Sequence, residues 1–103
     1  MRLLLDESVL RRALSSHVVK TVVEMGWSGV KNGALLVLAA AEFDAFVTVD
    51  KNLPNQQNLS TLPIAIVVLR AQSNELNALL PLIPELEEVL AHLQPRFLVQ
   101  VGT

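Results

Sequence analysis

The chain has 103 residues, of which 51% are hydrophobic, and this length suits a single domain, residues 1–103. The formal net charge of −2 argues against a broad basic surface for nucleic acid, although a bound metal ion can supply positive charge locally. The absence of cysteine excludes disulfides and thiolate metal ligands, and no apolar run approaches the roughly 18 residues of a membrane span, so we expect a cytoplasmic protein.

Hydrophobic patterning and turn residues divide the chain into alternating strands and helices. Runs of leucine and β-branched residues predict the strands, and segments rich in alanine and leucine predict the helices. Ser8 is suited to cap the first helix, and Pro81 and Pro84 interrupt the last one because each removes a backbone donor. In chain order we predict strand 2–5, helix 8–14, strand 17–23 (with a helix as the alternative), helix 34–42, strand 45–50, a loop or helical turn over 53–59, strand 64–69, helix 73–93 broken near 80–84, and strand 97–101.

This alternation is typical of an α/β protein, a three-layer α/β/α sandwich with a central parallel sheet. Right-handed crossovers place the carboxyl ends of all its strands at one edge, where ligands usually bind. Two apolar strands stop at an aspartate, Asp6 and Asp50, and this is the main functional clue. The residues expected at that edge are Asp6, Glu7, Asp50, Lys51, Asn52, Arg70 and Ser73.

Carboxylates gathered at one edge predict a metal site. Two carboxylates a few ångströms apart repel each other unless a cation lies between them. Mg²⁺ and Mn²⁺ prefer carboxylate oxygens and can promote phosphodiester hydrolysis, for which Lys51 or Arg70 would hold a substrate phosphate. The alternative is that acids at strand ends are solvated loop residues or helix caps.

Amide side chains are concentrated after the central strand. Gln56, Gln57 and Asn58 fit either of two roles, loop structure or contact with the bases and phosphates of a substrate. Asn52 is a further substrate-contact candidate because it follows Asp50 closely.

Several segments together are similar to one known family. They are Leu4-Leu5-Asp6-Glu7, the loop 26–33 (GWSGVKNG), Phe43-Asp44 followed by 48–53 (TVDKNL), and 56–59 (QQNL). These segments resemble the DUF5615 family of small bacterial PIN-like proteins, over nearly the whole chain through 81–84. The resemblance implies a PIN-like α/β/α sandwich, Mg²⁺- or Mn²⁺-dependent ribonuclease activity, and membership of a toxin–antitoxin pair, with RNA and an antitoxin-like protein as partners.

The resemblance also implies roles for individual residues. Asp6 matches the first PIN carboxylate and Asp50 the later one, so both would be catalytic and would hold the metal ion, with Glu7 as a third catalytic acid. Two positions depart from the pattern: Asn52 stands where a further acid is expected, and Ala34 stands where glutamate is frequent. The substrate-binding candidates are Lys51, Asn52, Arg70 and Gln57.

Those departures keep other functions open. One is a catalytically weak or inactive PIN-like module that binds protein or nucleic acid. A separate alternative, suggested by Asp6-Glu7 and Asp50 with a later lysine, is a phosphate-binding or receiver-like domain, although Arg70 follows the strand 64–69 where such a domain would carry lysine. A homo-oligomer is expected in either case, because the high apolar content of so small a domain suggests an uncovered hydrophobic patch.

Overall fold

In the computed structural model, which describes residues 1–73 and 75–102, short strands alternate with helices along the whole chain. Single 3₁₀ turns at Ser8–Leu10 and Leu80–Leu82 complete the regular structure. The strands and α-helices are, in chain order, β1 (Arg2–Leu5), β2 (Val18–Thr21), α1 (Asn32–Ala40), β3 (Ala45–Thr48), α2 (Leu53–Gln56), β4 (Ala65–Arg70), α3 (Leu76–Leu79), α4 (Ile83–Ala91) and β5 (Leu98–Gly102).

The strands form one sheet in the order β2-β1-β3-β4-β5, and every neighbouring pair is parallel. The predicted α/β class and central parallel sheet are therefore confirmed. The chain places β2 on one side of β1 and β3 on the other, so the strand order reverses between β1 and β3. Leu5 at the end of β1 is aligned with both Thr21 and Val47. The residues that follow β1 consequently emerge at the switch point, where open parallel sheets usually bind ligands.

Each face of the sheet carries its own hydrophobic cluster. Successive strand side chains point to opposite faces, and the central strands β3 and β4 are buried almost throughout because both faces are covered. On one face the strand residues pack with Leu10, Leu14, Leu79, Leu86 and Leu90, which come from the segment after β1 and from α3 and α4. On the other face they pack with Leu35, Leu36, Ala39 and Leu53 from α1 and α2.

The segment after β1 differs from the predicted helix 8–14. Only Ser8–Leu10 forms a 3₁₀ helix, and the following residues form turns, with Arg11 N–H bonded to Ser8 O and His17 N–H to Leu14 O. Ser8 makes no side-chain capping bond. A 3₁₀ helix rises about 2.0 Å per residue, against 1.5 Å for an α-helix. A short connection built from such turns can therefore span the distance from the end of β1 back to the start of β2. Its periodic leucines are buried without a continuous helix.

The remaining boundaries follow the sequence more closely. Residues 17–23 contain a strand, as predicted, and α1 begins two residues earlier than expected. Pro81 and Pro84 lie in the first turns of the second 3₁₀ helix and of α4, where a missing N–H removes no helical bond, so the predicted break is confirmed. Within the described residues, no helix is both long enough and apolar enough to cross a membrane.

Candidate functional site at the switch point

Asp6 lies immediately after β1, at the reversal of strand order. Its N–H donates to the carbonyl oxygen of Val47 (3.3 Å), which extends the pairing of β1 and β3 by one residue. Its carboxylate oxygen Oδ2 accepts hydrogen bonds from the Thr48 hydroxyl and from the Val49 N–H (3.3 Å). The side chain is half-buried and is therefore held in a defined direction by the neighbouring strand.

Thr48 connects the two predicted catalytic aspartates. Its hydroxyl donates to Asp6 and accepts from the Asp50 N–H (3.0 Å), and only 1% of the residue is exposed. Thr48 lies within the predicted strand 45–50 and the motif 48–53, and it was not among the predicted site residues. The signal was nevertheless present, because one hydroxyl in an otherwise apolar buried strand must find hydrogen-bond partners.

The environment of Asp6 disfavours its charged form. Burial is the largest cause and raises the pKa of the carboxyl, and the nearby Glu7 charge raises it further. The hydrogen bonds from Thr48 and Val49 lower the pKa of Asp6 but do not cancel the effect of burial. A cation beside this carboxylate would stabilise its ionised form. A carboxylate must be ionised to bind a metal ion, so Asp6 is suited to binding one.

Asp50 has a local structural role in addition to its place at the edge. Its Oδ1 accepts a hydrogen bond from the Asn52 N–H (2.9 Å), which forms an Asx-type turn leading into α2. This contact corresponds to the alternative in which an acid at a strand end stabilises a loop. It occupies one acceptor site of a carboxylate that has about four.

The predicted substrate-binding residues divide among different surroundings. Lys51 lines a cleft of about 230 Å³ with Gln72 and Ser73. Arg70 donates from Nη1 to Oε1 of Gln100 (3.0 Å) on β5, which β3 and β4 separate from β1 and Asp6. Asn52 is exposed and precedes α2 without a side-chain capping bond.

The amide cluster has structural contacts at two of its three positions. Gln56 accepts a hydrogen bond from Nδ2 of Asn32 (3.2 Å), which joins the start of α1 to α2. Oδ1 of Asn58 accepts from the N–H (3.1 Å) and hydroxyl (2.7 Å) of Ser60. The half-buried Gln57 follows α2 directly. These contacts favour the loop interpretation for Gln56 and Asn58, and Gln57 stays a predicted substrate contact.

A cleft of about 510 Å³ opens beside Asp6 between the segments that follow β1 and β2. The Arg11 guanidinium donates to the Glu24 carboxylate across it. Glu24 accepts from the Thr21 N–H (2.9 Å) and returns its own N–H to the Thr21 hydroxyl (3.1 Å), the reciprocal pattern of a capping box. The lining residues are Asp6, Glu7, Ser8, Val9, Arg11, Thr21, Val23 and Glu24.

Arg11, Thr21 and Glu24 were not among the residues predicted for the site from the sequence. The spacing Thr21-x-x-Glu24 was a readable signal, since threonine followed three residues later by glutamate is the sequence form of the capping box. The pairing of Glu24 with Arg11 had no local signal, because it depends on β1 and β2 being neighbours in the sheet.

The donor set at this edge is small for a metal centre. Across residues 1–73 and 75–102, no group of three histidine, aspartate or glutamate side chains is placed to hold a metal ion. Carboxylate oxygens are still the ligands that Mg²⁺ and Mn²⁺ prefer, and both ions commonly keep several waters. The residues present therefore fit a weakly held, largely hydrated ion better than a closed site.

The raised pKa of Asp6 leads to a pH-dependent prediction. A carboxyl with a raised pKa contributes stability that is fully present below its ordinary pKa and is lost as the pH rises through the raised value. Asp6→Asn removes the titration, so we expect it to raise the Tm at pH 7 above that of the wild type. This advantage should shrink as the pH falls towards 4.

Thermal melts followed by circular dichroism across this pH range would measure the difference. Asp44→Asn is the matched control, because Asp44 lies at the opposite edge, where its Oδ2 accepts from the Arg2 N–H (2.7 Å), and it should gain no stability. An Asp6→Asn variant that melts below the wild type at pH 7 would contradict the dominant role of burial.

The fold and the site define an α/β protein with a doubly wound parallel sheet and a half-buried carboxylate at its switch point. Comparison of the chain with protein-family models, curated proteins and solved structures found no match.

Proposed function

We propose that the protein is a metal-dependent ribonuclease of the PIN-like type, with its active site at Asp6. The observation that supports this proposal is the position of Asp6, a half-buried and hydrogen-bonded carboxylate at the reversal of strand order. Burial raises the pKa of Asp6, so the protein holds an acid where a cation would relieve an electrostatic penalty. Such perturbed carboxyls are concentrated at functional sites.

In this proposal Asp6 and Asp50 hold one Mg²⁺ or Mn²⁺ ion, and Glu7 assists. When bound, the ion would supply an activated water and stabilise charge on a phosphodiester. Thr48 orients the Asp6 carboxylate and links it to the backbone of Asp50. The half-buried position of Asp6 restricts its motion, which favours binding of the ion at one place.

A metal titration tests this proposal without knowledge of the substrate. We expect calorimetry to detect Mn²⁺ binding by the wild type in the micromolar to millimolar range and to detect none in Asp6→Asn. In Asp50→Asn the binding should be weakened about tenfold and not abolished, because the Asp50 carboxylate is already partly engaged by the Asn52 N–H. Mn²⁺-dependent cleavage of single-stranded RNA should likewise disappear in Asp6→Ala.

Asp44→Asn again serves as the matched control, because it changes a carboxylate at the amino edge of the sheet and should leave the Mn²⁺ affinity unchanged. The proposal would be rejected if the wild type bound no metal at millimolar concentration, or if Asp6→Asn bound it as tightly as the wild type.

A second candidate is a catalytically weak or inactive module that binds protein or nucleic acid. Two observations favour it: Asp50 already accepts a hydrogen bond from Asn52, and the described residues contain no group of three potential metal-binding side chains. Failure of the metal titration, combined with retained binding of RNA or of an antitoxin-like protein, would select this candidate.

The proposed setting is the cytoplasm, with RNA as substrate and an antitoxin-like protein as partner. We also propose a homo-oligomer, because large apolar side chains on α1 stay exposed: Val37 is 63% exposed and Leu38 is 41% exposed. Association through such residues would bury apolar surface that the isolated domain leaves in water.

A further inference from the structure

We propose that Arg11 binds a backbone phosphate of single-stranded nucleic acid in the cleft beside Asp6. This assignment rests on the nuclease function proposed above, and it names the side chain that would hold the substrate next to the carboxylate. The sequence had pointed to Lys51 and Arg70 for that task. The arrangement of the two loops that follow β1 and β2 points to Arg11 instead.

Arg11 lies in the cleft next to the proposed catalytic acids. Arg11 lines the same cleft of about 510 Å³ as Asp6 and Glu7, and it also borders the neighbouring groove; 42% of its side chain is exposed to solvent. An arginine has five N–H donors in a rigid fork, and the contact with Glu24 uses Nη1. The donors on the other nitrogens can therefore meet phosphate oxygens while the ion pair stays intact. Such charge-assisted contacts are the usual means by which arginine recognises phosphate.

Contacts with Glu24, and through it with Thr21, hold Arg11 in place. Glu24 receives the guanidinium, and Thr21 fixes Glu24 through the reciprocal bonds of 2.9 Å and 3.1 Å. Thr21 is itself 5% exposed at the end of β2, so the chain of contacts reaches back to the sheet. The hydrogen bond from Arg11 and that from the Thr21 N–H lower the pKa of the Glu24 carboxyl, so the charged form of Glu24 is the form that these contacts favour. A guanidinium fixed in this way loses less conformational entropy when it binds a ligand.

The other basic side chains near this edge lie outside the cleft next to Asp6. Arg70 is directed towards Gln100 on β5, and Lys51 lines the separate cleft with Ser73. Arg12 is exposed and lines the neighbouring groove formed with Leu76 and Leu80, which Arg11 also borders, but Arg12 does not line the cleft next to Asp6. Among residues 1–73 and 75–102, Arg11 is the basic side chain that lines the cleft next to Asp6.

The charge of the cleft sets the conditions of binding. Asp6, Glu7 and Glu24 also line it, so its acids outnumber the single guanidinium and would repel a phosphate. A divalent cation at the carboxylates would relieve that repulsion. We therefore expect nucleic acid to bind more tightly in millimolar Ca²⁺, a hard oxygen-seeking cation, than in chelator.

Fluorescence anisotropy with labelled single-stranded RNA and DNA of one sequence, about 12 nucleotides long, tests the assignment in millimolar Ca²⁺. We expect Arg11→Ala to weaken binding of both about tenfold, and to reduce the slope of log K against log salt by about 1. Arg12→Ala is the matched control and should change the affinity by less than about twofold. Arg11→Lys keeps the charge without the fork and should fall between these values.

The outcomes separate this proposal from the nuclease proposal. Equal affinities of Arg11→Ala and Arg12→Ala would overturn the role of Arg11, as would the absence of nucleic-acid binding by the wild type. A loss confined to RNA would also overturn it, because the phosphates of DNA are equivalent. If Arg11→Ala weakened binding while the wild type failed to bind Mn²⁺, the nuclease proposal would fall and the phosphate site would stand. Thermal melts of each variant verify that it is folded under the binding conditions.

Discussion

Replacing Phe46 with alanine should destabilise the protein by about 3–5 kcal/mol, the range typical of a buried phenylalanine truncated to alanine. Phe46 is 1% exposed in β3, where it is aligned with Leu4 of β1 and Ile66 of β4. These side chains belong to the cluster between the sheet and α1. Domains of this size are typically stable by about 5–15 kcal/mol, so the variant should be close to unfolded at 37 °C. Urea unfolding followed by circular dichroism would measure the loss.

Phe97→Ala provides the control for this prediction. Phe97 is 61% exposed just before β5, and its carbonyl oxygen, which the substitution retains, accepts from the Ile66 N–H (2.9 Å). We expect it to change the free energy of unfolding by less than about 0.5 kcal/mol. If Phe46→Ala lost no more stability than Phe97→Ala, the packing around Phe46 would not be a main source of the stability of the fold. Because β3 also carries Thr48 and leads to Asp50, loss of this cluster should remove any metal or nucleic-acid binding together with the fold.

The sheet was predictable from the sequence because its central strands are buried on both faces. The run 64–69 and the apolar start of β3 contain little besides β-branched, leucine and phenylalanine residues, which leaves few alternatives to a covered strand. The proline break near 80–84 was equally local. The helix at 8–14 was predicted wrongly because leucine spacing reports burial, and turns can bury Leu10 and Leu14 as well as a helix can.

Of the candidate site, the sequence predicted only the positions that follow from the strand topology. Asp6 and Asp50 each follow a strand, and parallel strands bring those ends to one edge whatever the side chains do. Contacts such as Arg70 with Gln100 or Arg11 with Glu24 depend on which strands are neighbours and on rotamers. One amino-acid sequence read by itself carries no pairing signal for such contacts. The same limit hid Thr48, whose hydroxyl matters only because Asp6 lies beside it.

The Thr48→Val variant should destabilise the protein by about 2 kcal/mol, although valine has nearly the same shape as threonine. The change leaves Oδ2 of Asp6 and the Asp50 N–H without their shared hydroxyl, and removing one partner of a buried hydrogen bond costs about 1–3 kcal/mol. It also removes a contact that lowers the pKa of Asp6, so the pKa of that carboxyl should rise further. The destabilisation should therefore be larger at pH 7 than near pH 3, which lies below the ordinary carboxyl pKa of 3.8 and where the Asp6 carboxyl is protonated in both proteins. Chemical unfolding at both pH values would measure it.

Thr48→Ser distinguishes the contribution of the Thr48 hydroxyl from that of its methyl group. Serine keeps the donor and the acceptor, so this variant should lose only about 1 kcal/mol of packing and show little dependence on pH. The metal proposal adds a second readout, because a residue that orients a ligand typically changes metal affinity by 10–100-fold when its hydrogen bond is removed. We expect Mn²⁺ binding to weaken at least about tenfold in Thr48→Val and to stay near the wild-type value in Thr48→Ser. A loss confined to Thr48→Ser, with Thr48→Val keeping the wild-type stability and metal affinity, would show that Thr48 acts through packing alone, and Asp6 would then need another residue to orient it.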